Sequence, residues 1–226
     1  MHGINWILRR IFGLLCKIDK KAFDHFPKKG PIILVGNHIN FMEVPLLVSH
    51  LDNPLLTGLA KRETWGNPLF KFLFNAWKII PIDRGMVDRE AIRLSLEALE
   101  QGKMLAIAPE GTRSKDGKLQ PGKPGVVALA IQSGAPLQPF GFYGHENFWQ
   151  NLKRLRRTDF CIMVGKPFKI NTGVDYRSRE ARQEITDEIM YKIAECLPER
   201  YRGHYQFEGA VEYRHLIDYQ LPDAAS

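Results

Sequence analysis

Apolar and polar positions follow two different rhythms along this chain. From the N-terminus, Ile4, Ile7, Leu8, Ile11, Leu15 and Ile18 recur at helical spacing, while Arg9, Arg10 and Lys17 fall off the stripe and Trp6 and Phe12 flank it. This predicts a basic amphipathic helix over residues 1–25. Such a stripe suits a helix lying in a bilayer interface or one docked on the protein's own core.

Beyond it, short apolar runs alternate with longer periodic segments. Strands are expected at Pro31–Gly36, Leu55–Ala60, Ile79–Ile82, Lys103–Ala108, Pro136–Tyr143 and Phe160–Val164. Helices are expected at Phe41–Leu51, with Pro45 in its first turn, and at Asn67–Trp77, Asp88–Gln101, Gly125–Gln132 and Arg179–Leu197. Strands alternating with helices predict an α/β fold: a single domain with a mixed, largely parallel sheet flanked by helices. It is expected over residues 26–200, followed by a polar, aromatic-rich tail at 201–226 whose structure the pattern leaves unread.

Composition narrows the class. The 226 residues, 44% hydrophobic and 25% charged, suit one domain with a substantial core. Three cysteines at no metal-ligand spacing point to a reducing compartment rather than a disulfide framework. The longest charge-free stretch, Pro124 to Gly144, is broken by prolines and glycines, so no spanning helix is expected. Arg9 and Arg10 cut the N-terminal apolar run, which makes a poor export signal.

The net charge of +7 is concentrated: residues 1–30 carry a surplus of five positive charges and residues 150–182 a surplus of six. Two basic regions suit an anionic partner, with ordinary solvated faces as the alternative. No helix-turn-helix, zinc or RNA-binding motif accompanies them, so nucleic acid is not expected as a partner.

In such a sheet, chemistry gathers past the carboxyl ends of strands. Four places qualify: Gly36-Asn37-His38 with Glu43, Asp83-Arg84-Gly85, Pro109-Glu110-Gly111-Thr112-Arg113, and Pro139-Phe140. The His38-x4-Glu43 spacing proves little alone. Seven histidines, each with roughly a one-in-ten chance of an acid five positions on, give about one such pair by accident. One His with one Glu is also too few ligands for a catalytic metal.

The order of the blocks carries more. Asn37-His38-x4-Glu43, Ile82-Asp83-Arg84, Pro109-Glu110-Gly111-Thr112-Arg113-Ser114 and Pro136-Leu137-Gln138-Pro139-Phe140 resemble, in sequence, the glycerolipid acyltransferase family, best known for 1-acylglycerol-3-phosphate acyltransferases. The resemblance covers about residues 30 to 145. It implies transfer of a fatty acyl chain from acyl-CoA or acyl-carrier protein to a lysophospholipid hydroxyl, with no bound cofactor or metal. The setting it implies is a phospholipid membrane surface, with the protein peripheral on the cytoplasmic face.

By the same resemblance His38 is the general base and Glu43 its partner, while Arg84, Glu110, Gly111, Thr112 and Arg113 bind the acceptor. Lys61 and Lys123 stand where the family often has basic residues, for phosphate or oxyanion contact. The residue chemistry agrees. A histidine, with an ordinary pKa of about 6.5, can take a hydroxyl proton near neutrality. An arginine fork matches phosphate bidentately. No Ser or Cys stands at a nucleophile position, so direct transfer is implied. Two departures stand out: Glu43 where the family uses Asp, and Gly122 where it commonly has Phe. A lipid-binding relative without catalysis, or one acting on a different lysolipid, stays open on these residues.

Overall fold

The computed structural model describes residues 1–83, 85, 87–171, 173 and 176–221. The chain opens with α1 (His2–Leu15) and β1 (Cys16–Ile18), then β2 (Ile32–Gly36), α2 (Glu43–Leu51), β3 (Leu56–Lys61), α3 (Pro68–Ala76) and β4 (Ile80–Ile82). It continues with α4 (Arg89–Glu100), β5 (Met104–Ile107), α5 (Gly125–Ser133), β6 (Leu137–Tyr143), α6 (Phe148–Lys153) and β7 (Thr158–Val164). It closes with β8 (Phe168–Ile170), α7 (Arg179–Glu195) and β9 (Leu216–Asp218).

Among the described residues these strands make one sheet in the order β1-β7-β6-β2-β5-β3-β4, with β8 on β6 and β9 on β8. The β6-β2-β5-β3-β4 stretch is parallel throughout. β7, β8 and β9 join antiparallel, and β1 runs parallel to β7. The expected mixed, largely parallel sheet is what forms.

All five residues of β2 are buried, as a central strand covered on both faces requires. Its side chains alternate between two cores. Ile33 and Val35 join α4, α5 and α7 on one face, while Ile32 and Leu34 join α1, α2 and α3 on the other.

The helix expected over residues 1–25 ends at Leu15; Cys16–Ile18 pairs with β7 as β1, which takes Ile18 out of the stripe. α1 settles its own ambiguity by using two faces. Asn5 and Phe12 are buried, with Ile4, Leu8 and Leu15 partly so. The Asn5 carboxamide oxygen accepts the Trp77 indole N–H at 3.0 Å, and its amide nitrogen donates to Asp52. Arg9 adds an ion pair to Asp52 at 3.1 Å. Trp6, Ile7, Ile11 and Leu14 stay on the outside. The helix is therefore docked and still presents a second apolar face.

After Pro198 the chain returns to the body. Tyr201 and Tyr205 are buried in the core beside α7, and Leu216 pairs with Ile170. The strands β1, β8 and β9, three residues each, and the helix α6 lie below the length at which periodicity speaks. Pro139 and Phe140, expected at a strand end, instead lie inside β6.

Candidate active site

β2, β5, β3 and β4 release their carboxyl ends along one edge, and β6 adds its own. The site forms where the chain, having built β3, β4 and β5 on one side of β2, crosses to lay β6 on the other. Asn37 extends the β2–β6 pairing past Gly36 with its side chain. Its Nδ2 donates to the Phe142 carbonyl at 2.8 Å, and its Oδ1 accepts the Phe142 N–H at 2.7 Å. That strut turns the next residue, His38, out over the edge.

The backbone of His38 is gripped on both sides by the loop after β5. Its N–H donates to Glu110 Oε1 at 2.7 Å, and its carbonyl accepts the Ser114 N–H at 2.8 Å. The other Glu110 oxygen accepts the Gln120 N–H at 2.8 Å. Glu110 is 1% exposed, so it braces two loops from within. Burial pushes its carboxyl up to about 8, assisted by the charge on Glu43 and opposed by the two backbone hydrogen bonds.

Glu43 opens α2 and is 2% exposed. Its Oε2 takes a short hydrogen bond from His38 Nδ1. Its Oε1 accepts the Ile39 and Asn40 amides at 2.7 and 2.8 Å and meets His145 Nε2 at 2.7 Å. Burial would push this carboxyl up, but the hydrogen bonds from His145 and His38 outweigh it and hold it down at about 2. It is an anion near neutrality, acceptor only, so both imidazoles donate to it. His38 Nε2 then carries a free lone pair, with no protein partner among the described residues.

His145 is the member of this hydrogen-bonded cluster that sequence reasoning missed. It stands two positions past the end of β6, as His38 stands two past the end of β2. That shared offset was the one signal available. Its ring stacks on Phe160 with centroids 4.2 Å apart.

Residues 17–143 match the family model described as Acyltransferase, which covers more than half of the chain. The chain belongs to the acyltransferase family. The 1-acyl-sn-glycerol-3-phosphate acyltransferase of Borreliella burgdorferi is 27% identical over 181 residues, 78% of this chain and 72% of that protein. Its counterpart from Limnanthes douglasii is 33% identical over 153 residues, covering 66% of this chain and 52% of the relative. The chloroplastic enzyme BAT2 of Brassica napus is 25% identical over 180 residues, 76% of this chain and 51% of the relative. The chain thus spans about half the length of these plant relatives. The crystal structure of the 1-acyl-sn-glycerophosphate acyltransferase PlsC from Thermotoga maritima shares the fold. Its TM-score is 0.59 at 23% identity, over 83% of this chain and 75% of that one.

Within this acyltransferase-family site the basic residues divide. Thr112, Arg113 and Lys123 are exposed, and Arg113 and Lys123 have no ion-pair partner among the described residues. Gly111, at φ 64°, lets the Lys123 side chain cross it: a Cβ there would come within 3.1 Å of Nζ. Lys61 ends β3 on the same edge and pairs with Glu63 at 2.9 Å. Arg84 lies outside the described residues. Its neighbour Asp83 is gripped by Arg62 through both carboxylate oxygens at 2.9 Å.

At Gly122, where the resemblance leads to an expectation of Phe, the packing favours glycine. A Cβ there would lie 2.6 Å from Met190 Cγ, and the Gly122 N–H donates to the Tyr205 hydroxyl at 2.9 Å. Here α7 and the C-terminal segment take the space that a larger side chain would need.

Cys16, Cys196 and Ser114 are not placed to act as nucleophiles. Burial pushes the Cys16 and Cys196 thiols up to about 11 and about 12. The Ser114 hydroxyl is committed to Asp116 at 2.9 Å. No group able to hold a metal occurs among the described residues.

Proposed function

We propose that this protein moves a fatty acyl chain from an acyl thioester, acyl-CoA or acyl-carrier protein, to the free hydroxyl of 1-acylglycerol-3-phosphate, giving phosphatidic acid. The observation that carries this reading is the His38–Glu43 hydrogen bond at the sheet edge, with Nε2 left open. Glu43 fixes the tautomer in which Nε2 is the basic atom and stabilises the imidazolium that forms.

The acceptor oxygen gives its proton to His38 Nε2 as it attacks the thioester carbonyl carbon. The tetrahedral intermediate collapses, the C–S bond breaks, and the thiolate leaves with the proton that His38 held. Arg113 and Lys123, exposed beside the Gly111 turn, supply charge for the acceptor phosphate, and Arg84 is assigned to the same task. A role limited to lipid binding would leave the oriented, buried carboxylate without a purpose.

The setting for this chemistry is a membrane surface on its cytoplasmic face, with the protein peripheral. In support, Trp6, Ile7, Ile11 and Leu14 of α1 and Leu69 and Phe72 of α3 are exposed on helices that share a core with α2, which begins at Glu43. Arg10 lies over the Trp6 ring at 5.2 Å, pairing charge with an aromatic as interfacial helices do. No described helix is long and apolar enough to cross a membrane. The test is a panel of lysophospholipids with long-chain acyl-CoA and acyl-carrier protein, followed by free thiol release. Release that depends on 1-acylglycerol-3-phosphate supports the reading. Release with none of the acceptors rejects it.

A further inference from the structure

We propose that His145 is a positioning residue of the acyl-transfer site, holding the second oxygen of Glu43 so that the first is aimed at His38; this rests on His38 acting as the base. The family match ends at residue 143, so His145 lies beyond the shared blocks.

Four observations converge on it. His145 is fully buried, with its Nε2 2.7 Å from Glu43 Oε1. Its other nitrogen, Nδ1, is buried with no hydrogen-bond partner. Its ring is clamped by Phe160 at 4.2 Å, nearly parallel, and by Phe142 edge-on at 6.4 Å. The turn that carries it is tied to the His38 loop, since Asn40 Nδ2 donates to the His145 carbonyl at 3.1 Å.

A buried imidazole with one partner is more often a space-filling residue, and this geometry argues against that. Glu43 is an anion and can only accept, so the Nε2–H tautomer is the one that fits. Nδ1 is then a bare lone pair, and a second proton on it would have no acceptor. His145 therefore supplies a directed N–H to Glu43 without bringing a compensating charge. The carboxylate keeps its full charge for the imidazolium forming on His38.

The longer side chain at position 43 gives this a reason. With one more methylene than Asp, the Glu43 carboxylate has an extra torsion to fix. Its Oε1 is fixed by three donors: the Ile39 and Asn40 amides and His145. Groups facing Glu43 from every side are His38 from its own loop, His145 from the turn after β6, and Glu110 from the loop after β5.

The test compares His145→Phe, which keeps the stacking and removes the donor, with His145→Gln, whose amide N–H can replace Nε2. His145→Asn, too short to reach Oε1, stands in if the Phe variant does not fold. The readouts are kcat and KM for acyl transfer, with folding checked by the melting curve of each variant. Without the donor, Glu43 is free to turn its other oxygen away from His38. We expect kcat of the Phe or Asn variant to fall about 10–100-fold with KM little changed, and His145→Gln to restore kcat. A folded Phe or Asn variant with the wild-type kcat would overturn the proposal, as would a His145→Gln variant no faster than the Phe variant. His38→Ala, measured beside them, reports on the base assignment alone, so failure of that reading is distinct.

Discussion

The carboxyl group of Glu110 accepts the backbone N–H of His38 at 2.7 Å, from a chain segment 72 residues away. With the Ser114 amide on the His38 carbonyl at 2.8 Å, it welds the loop after β5 to the loop after β2. In the proposed reaction Glu110 therefore acts through the placement of His38.

Replacing Glu110 by Gln keeps the shape but turns an N–H donor toward one of the two amides it serves. The cost should be about 1–3 kcal/mol, with a fall in kcat larger than any change in KM. The sign with pH follows from a carboxyl raised from its ordinary 4.5 to about 8. The folded state holds this proton more tightly than the unfolded one. Wild-type stability attributable to the group therefore declines as pH rises from about 4.5 through about 8. Glu110→Gln lacks this titration, so thermal melts should show the largest gap between the two proteins near pH 5 and a smaller one at pH 9. A gap that widens with pH would contradict the assignment.

Glu43→Gln tests tautomer control. Oε1 serves three donors, so the amide oxygen of Gln will take that place and its NH2 will face His38. Nδ1 must then accept and Nε2 carries the proton, which leaves no base. Steady-state kcat should drop by about 10²–10⁴-fold, with the protein still folded by circular dichroism. A loss under about threefold would show that the hydrogen bond to Glu43 is not needed.

Much of this architecture was readable because the signals were long and local. β2 is an unbroken apolar run, α4 has a clear stripe with Asp88 as its cap, and both appear where the pattern puts them. The N-terminal stripe was readable as a helix but not as a docking mode, since Ile4 and Leu8 face inward while Ile7 and Ile11 face out. What stayed hidden was long-range. Glu43 and His145 are 102 residues apart, and no spacing rule joins them. Glu110 was legible as part of a motif, but only the fold shows that it points inward to amides.

Gly122→Phe would drive a large ring into space already filled by Met190 and Thr186. Overpacking should destabilise the protein by about 1–3 kcal/mol, lowering the melting temperature by several degrees. Adding Met190→Ala should recover part of the loss. An unchanged melting temperature for the single variant would show that the loop and α7 yield freely.

Membrane docking through α1 predicts that Ile7→Ser, Ile11→Ser and Leu14→Ser together weaken binding to vesicles of mixed phosphatidylcholine and phosphatidylglycerol. None of the three side chains contributes to the buried core, so the melting temperature should hold. Co-sedimentation should show at least about tenfold weaker partitioning, as expected for the loss of three apolar contacts. Equal sedimentation of variant and wild type would move the membrane face elsewhere.

The central claim is that His38 Nε2 takes the acceptor's proton. The direct measurement is kcat for acyl transfer from a long-chain acyl thioester to 1-acylglycerol-3-phosphate by His38→Ala, with folding verified by its melting curve. A fall of at least about 10²-fold is expected, with KM for the acceptor little changed. A folded His38→Ala protein that turns over at the wild-type rate would contradict it.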